Sequence, residues 1–189
     1  MEHYYNKIQG WFTYPNLFRD VVARFPDNSH FVEIGCWLGT SSTFLGVEII
    51  NSGKSIKLDC VDTWLGATEH QNADWSRSMI EKDEVYKQFI QNVEPLRSVL
   101  TPVRSTSLDA AKLYADHSLD FVFIDAAHDY ENVKADLHAW YPKVKPDGLF
   151  AGHDYPFDEV RRAVDEFFRD KNGLNNKNLR STGESCWVF

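Results

Sequence analysis

Along the chain, short apolar runs alternate with stretches whose apolar residues recur every three or four positions. Leu17, Phe18, Val21, Val22 and Phe25 keep helical spacing, and Pro26-Asp27-Asn28 ends that helix. His30–Ile34 reads as a first strand. A helix follows from about Thr40 to Ile50, with Thr40 or Ser41 at its N-cap and Asn51-Ser52-Gly53 at its close. Lys57–Val61, Ser98–Arg104, Leu119–Ile124 and Leu149–Ala151 read as further strands. Ser185–Phe189 reads as a terminal strand, paired with a short one near Leu179–Arg180. Helical stripes lie between them, on Val85, Phe89, Ile90 and Val93, on Leu108, Ala111 and Tyr114, on Val133, Leu137 and Trp140, and on Val160, Val164 and Phe167. Lys145-Pro146-Asp147-Gly148 reads as a turn. Thr63–Asp83 is polar and tryptophan-containing, a long loop of the kind that covers a pocket, with Trp64 and Trp75 as covering side chains. The alternation predicts one α/β domain over residues 1–189, a doubly wound sheet with helices on both faces, preceded by an N-terminal helical segment at 1–27.

Four of these strands end in polar groups: Glu33, Asp62, Asp125 and His153-Asp154. In an open parallel sheet, ligands sit outside the carboxyl ends of the strands, so these residues are expected to line one crevice. Gly35 permits a sharp turn after the first strand, and Gly39 permits close approach of backbone to a ligand. The spacing is G-x-x-x-G, not the G-x-G-x-x-G of pyrophosphate-binding loops, which disfavours a nicotinamide-dependent oxidoreductase. Glu33 suits a ligand with a positive end. Asp62 lies 23 residues after Gly39, the distance of an acid that accepts ribose hydroxyls. His128, close after Asp125, is a candidate general base; the bland alternative is a helix start where Asp129 caps and His128 only packs. Asp125, His153 and Asp154 together have the donor types of a divalent-cation site. The histidine moves the preference from magnesium toward manganese, iron or zinc. If His153 points away, it is free to act as a base.

The composition adds bounds. With 43% hydrophobic and 25% charged residues, the chain is globular; 14% aromatic residues imply a well-packed interior or a stacking pocket. A net charge of −8 argues against a nucleic-acid partner. Cys36, Cys60 and Cys186 read as buried reduced thiols. No apolar stretch approaches the roughly 20 residues of a membrane span, so a cytoplasmic protein without a membrane partner is expected; a homodimer is left open. Tyr4, Tyr5, Trp11, Phe12 and Tyr14 suit packing of the N-terminal helix on a neighbour, or else an aromatic substrate lid. Arg161-Arg162 suits a solvated helix face.

The blocks VEIGCWLGTSS, CVDTWLG, LDFVFIDAAHDYENVKADLHAWYPKVKPDGLFAGHDY and SCWVF, in that order, resemble class I S-adenosylmethionine-dependent methyltransferases. The likeness spans about residues 28–189 and is closest to the methyltransferase-24-like branch, near catechol and caffeoyl O-methyltransferases. It implies a Rossmann-like sheet of about seven strands with an antiparallel last strand. It implies S-adenosylmethionine contacts from Glu33, Gly35, Cys36, Gly39, Thr40, Ser41, Asp62 and Asp125, and adenine contacts around Thr63-Trp64 and Ser105-Thr106. It implies methyl transfer to a hydroxyl of a small molecule or sugar, with Asp125, His128 and His153 in catalysis. In catechol-type relatives an Asp after the fourth strand and an Asp-Asn pair after the fifth hold a divalent cation. Here Asp125 matches the first and His153-Asp154 replaces the pair, so magnesium or manganese at these residues and a metal-free histidine base both stay open.

Overall fold

The computed structural model describes residues 1–66, 74–172 and 179–189; the side chains of 74–75 and 170–172 are not described, so the reading of Trp75 lies outside the described residues. Strands β1 (His30–Ile34), β2 (Lys57–Asp62), β3 (Leu100–Arg104), β4 (Leu119–Ile124), β5 (Val144–Gly152), β6 (Arg180–Ser181) and β7 (Trp187–Val188) form one sheet in the order β3-β2-β1-β4-β5-β7-β6. The first five pair in parallel, and β7 runs antiparallel to both β5 and β6. The expected seven-stranded sheet with helices on both faces is therefore the fold.

Alternation along the central strands divides the core. Phe31 and Cys60 face one side with Phe121 and Phe123, where α1 (Pro15–Arg24), α2 (Thr40–Ser52) and α4 (Glu84–Val93) pack. Val32, Ile34, Val61, Val122 and Ile124 face the other, under α5 (Ser107–Ala111), α6 (Tyr130–Trp140) and α7 (Asp158–Asn172). Every residue of β4 is buried, which explains its continuous apolar run.

Three expectations need correction. The polar stretch Thr63–Asp83 is not all loop, because it contains helix α3 (Asp74–Glu81); its residues 67–73 lie outside the described ones. Lys145–Gly148 is not a turn before β5 but an irregularity within it. Leu119 pairs with Val144 and Phe121 with Leu149, so the intervening residues bulge out of register. The N-cap of α2 is Gly39, in the left-handed region at φ 90°, and neither Thr40 nor Ser41 caps the helix.

Helix α1 has an unusual start. Its N-cap is Tyr14, a residue with no short side-chain acceptor to offer, and Pro15 follows at the first helical position. The orphan N–H groups of Asn16 and Leu17 instead donate to the two carboxylate oxygens of Glu184, each at 3.0 Å, from the connection between β6 and β7. Glu184→Ala is expected to lower the unfolding free energy by about 1–2 kcal/mol, measurable by urea denaturation; no loss would mean that water caps α1 equally well.

Candidate functional site

A cavity of about 650 Å³ opens at the carboxyl ends of the strands. One end is walled by Gly35, Cys36, Trp37, Thr40, Ser41, Asp62, Thr63 and Ser105, the other by Asp125, Ala126, His128, His153 and Asp154. Of the residues singled out in the sequence, Glu33, Gly39, Trp64 and Thr106 are not on its wall.

Each absence has a cause. Glu33 shares its sheet face with Phe31 and so points under α2, fully buried. There it accepts hydrogen bonds from the hydroxyls of Ser41 and Ser42, both at 2.5 Å. Burial outweighs those bonds and pushes its carboxyl up to about 7. Gly39 faces protein, not ligand: a Cβ there would sit 3.1 Å from Phe89 and 3.3 Å from Val93. Trp64 is wholly buried against Tyr86 and Phe89, and its indole N–H donates to the Trp37 carbonyl at 2.8 Å. Thr106 caps α5, accepting from the Asp109 N–H.

The loop after β1 is shaped by Asp62. Its Oδ2 accepts from the backbone N–H groups of Cys36 and Trp37, both at 2.9 Å, and its Oδ1 from that of Trp64 at 2.7 Å. Trp37 is thereby held in the left-handed region at φ 47°. Gly35, at φ 88°, is the tightest point: a Cβ would fall 1.9 Å from the Asp125 carbonyl oxygen. The Thr40 hydroxyl is buried on the cavity wall and has no hydrogen-bond partner among the described residues. Cys36, Cys60 and Cys186 are buried free thiols.

At the other end, two carboxylates and two imidazoles interlock. His128 Nε2 lies 2.8 Å from Asp154 Oδ2. His153 Nδ1 lies 3.1 Å from Asp154 Oδ1 and 3.6 Å from Asp125 Oδ1. Burial alone would lower the His153 pKa, but the two carboxylates outweigh it and raise it to about 9. Burial would likewise raise Asp154; hydrogen bonds from His128 and His153 override it and hold Asp154 well below the usual carboxylate range. Asp154 sits in the left-handed region at φ 56°, which aspartate tolerates better than most residues. Ligand atoms of Asp125, His128 and Asp154 lie within 4.8 Å of one another, an arrangement able to hold a metal ion. The histidine in that set is His128, whereas the sequence reading had His153. Asp129 does cap α6, accepting from the Asn132 N–H, yet His128 beside it is in the cluster as well.

Other wall residues escaped the sequence reading: Gly10, Thr13, Ser107 and Phe157. Thr13 Oγ1 lies 3.1 Å from His153 Nε2, and the Tyr14 hydroxyl donates to Asp125 Oδ2 at 2.7 Å. For Thr13 and Tyr14 the signal is an aromatic residue before Pro15, where a short polar cap is usual. Among the described residues of the wall there is no lysine or arginine.

A parallel sheet with an antiparallel last strand, a glycine turn after β1 and an acid after β2 together define the class I methyltransferase fold. Residues 32–155 match the methyltransferase-24 family, described as a methyltransferase domain, and the chain belongs to that family. Among solved structures, the O-methyltransferase NovP is similar at a TM-score of 0.69 and 16% identity, over 93% of this chain and 78% of that one. An O-methyltransferase from Bacillus cereus, in complex with SAH, is similar at 0.58 and 13%, over 97% and 83%. An uncharacterized protein, y4gI of Sinorhizobium fredii, is 29% identical over 125 residues; these make up 65% of this chain but only 13% of that curated relative's length. Among the described residues, no helix is long and apolar enough to cross a membrane.

Glu33 gives a pH test. Its folded pKa of about 7 exceeds the ordinary carboxylate value. Its contribution to stability is therefore complete below the unfolded pKa and is lost as pH rises toward 7. Asp136, raised to about 6 by burial, acts in the same direction, so the test is a comparison. Glu33→Gln, a mimic of the protonated acid, is expected to become more stable relative to the parent between pH 5 and pH 8, by on the order of 3 kcal/mol. Urea denaturation across that range checks it; a constant difference would refute the raised pKa.

Proposed function

We propose that this methyltransferase moves the methyl group of S-adenosylmethionine onto a hydroxyl of a small molecule or sugar, where Asp125, His128 and Asp154 meet. One observation carries the reading: the loop at Gly35 packs directly on the Asp125 carbonyl, so the cofactor end and the carboxylate–imidazole end share one cavity. The cofactor's sulfonium supplies an already activated methyl group. The chain's task is alignment and removal of the acceptor's proton.

In this reading Gly35, Cys36, Thr40 and Ser41 hold the amino-acid end of the cofactor. The Thr40 hydroxyl, without a partner among the described residues, supplies one hydrogen-bonding group there. Asp62 and Thr63 meet the ribose, and Ser105 the adenine side. Glu33, Gly39, Trp64 and Thr106 shape the cradle from behind. A wall with Asp62, Asp125 and Asp154 and no lysine or arginine among its described residues suits a cationic sulfonium.

Two carboxylates and an imidazole fit a divalent cation, with manganese, iron or zinc favoured over magnesium by the nitrogen ligand. Asp125, His128 and Asp154 would hold it, and when bound it supplies a lowered pKa at the acceptor hydroxyl. His153, between both carboxylates and Thr13, orients them. A second reading rests on the His128–Asp154 pair at 2.8 Å, the geometry of a base oriented by an acid. There His128 itself takes the proton.

Calorimetry with S-adenosylmethionine is expected to give measurable binding, weakened in Asp62→Ala by on the order of 2–4 kcal/mol as three backbone donors lose their acceptor; no heat in the parent would sink the cofactor assignment. Crystals grown with manganese are expected to show an anomalous peak among Asp125, His128 and Asp154. If none appears at high manganese, the base reading of His128 replaces the cation.

A further inference from the structure

We infer that Tyr14 is a positioning residue of the methyl-transfer site: its hydroxyl fixes the carboxylate of Asp125. The inference rests on the reading of Asp125 as an acceptor-side group or cation ligand. The Tyr14 side chain is wholly buried although it precedes a surface helix. Its ring is wedged among Phe12, Phe18, Phe123 and His153 at centroid distances of 4.8–5.1 Å. A buried phenol needs a hydrogen-bond partner, and this one finds Asp125, 111 residues away in sequence, at 2.7 Å. The bond engages Oδ2 and leaves Oδ1 on the His153 side of the carboxylate.

Three further observations show that this placement is built. At the N-cap, a residue's side chain ordinarily serves its own helix. Here the cap function has moved to Glu184, which accepts from both Asn16 and Leu17 and frees Tyr14 to reach the site. The preceding residue repeats the pattern, as Thr13 meets His153. Further along the same segment Gly10 fits over the cofactor end, where a Cβ would lie 2.4 Å from the Thr40 hydroxyl. Partners that orient a metal-ligating or reactive carboxylate typically change affinity or activity 10–100-fold when removed. Tyr14 stands in that relation to Asp125.

The test compares the full chain with Tyr14→Phe, which keeps the ring and removes one hydroxyl. Tyr4→Phe is the control, since the Tyr4 hydroxyl donates to the Asn92 carbonyl away from the cavity. Manganese affinity by calorimetry and the Asp125 carboxylate in crystal structures are the readouts, with urea denaturation to separate stability from positioning. Tyr14→Phe is expected to bind manganese about 10–100-fold more weakly, with the Asp125 carboxylate turned from its place, while Tyr4→Phe matches the parent. An affinity within about twofold of the parent, with Asp125 unmoved, overturns the inference. If the parent itself binds no manganese, the cation reading fails separately, and the position of Asp125 in the Tyr14→Phe crystal decides: turned supports, unmoved overturns. Should Tyr14→Phe not fold, Glu184→Ala keeps every site atom and only loosens the start of α1. Weaker manganese binding or a displaced Asp125 there supports the inference, and neither overturns it.

Discussion

The site depends on one steric constraint, the approach of the β1 and β4 ends. Parallel pairing of Ile34 with Ile124 brings the backbone of Gly35 against the carbonyl of Asp125. Any side chain at position 35 would occupy the space of that carbonyl. Because the two ends touch, the loop that Asp62 organises and the cluster around Asp125 share a wall. Larger spacing there would give two shallow pockets at separate strand ends in place of one cavity.

The electrostatics follow from that crowding. Three carboxylates on one wall repel, and each has been given a different remedy. Asp62 is satisfied by three backbone donors, Asp154 by two imidazoles, and Asp125 by a phenol and the edge of His153. Glu33, a fourth acid just beneath, is met by two serine hydroxyls. The region can therefore take a positive ligand without first rearranging its own charges.

The sequence made the sheet legible because β4 and the strand-end acids carry strong patterns: a six-residue apolar run, and polar residues where parallel strands stop. The last strand's direction and the cofactor came from family resemblance, since two-residue strands have no readable period. Glu33 could have been placed under α2 by the same alternation that put Phe31 there. The glycine motif beside it points toward a ligand instead. The choice between His128 and His153 was not legible, because it turns on the loop geometry around Asp154 and on Thr13, which lies 140 positions from His153. Local spacing carries no information about such pairs. The helix within Thr63–Asp83 is hidden for another reason: it is eight residues long with few apolar positions, too short to set a period against the polar residues around it.

The clasp of Glu184 on the start of α1 has a consequence for biosynthesis. Glu184 leaves the ribosome 168 residues after Asn16. Until then the helix that presents Tyr14 lacks its cap, although β1 through β4 are already available to pair. The loop around Asp62 is thus assembled from early contacts, whereas the end around Asp125 is finished only by a contact of very long sequence separation, the kind that forms slowly. A nascent chain stalled before the β6–β7 hairpin would hold the loop around Asp62 beside an α1 that still lacks its cap. The cap on α1, and with it the seating of Tyr14 against Asp125, is therefore completed in one late step rather than gradually.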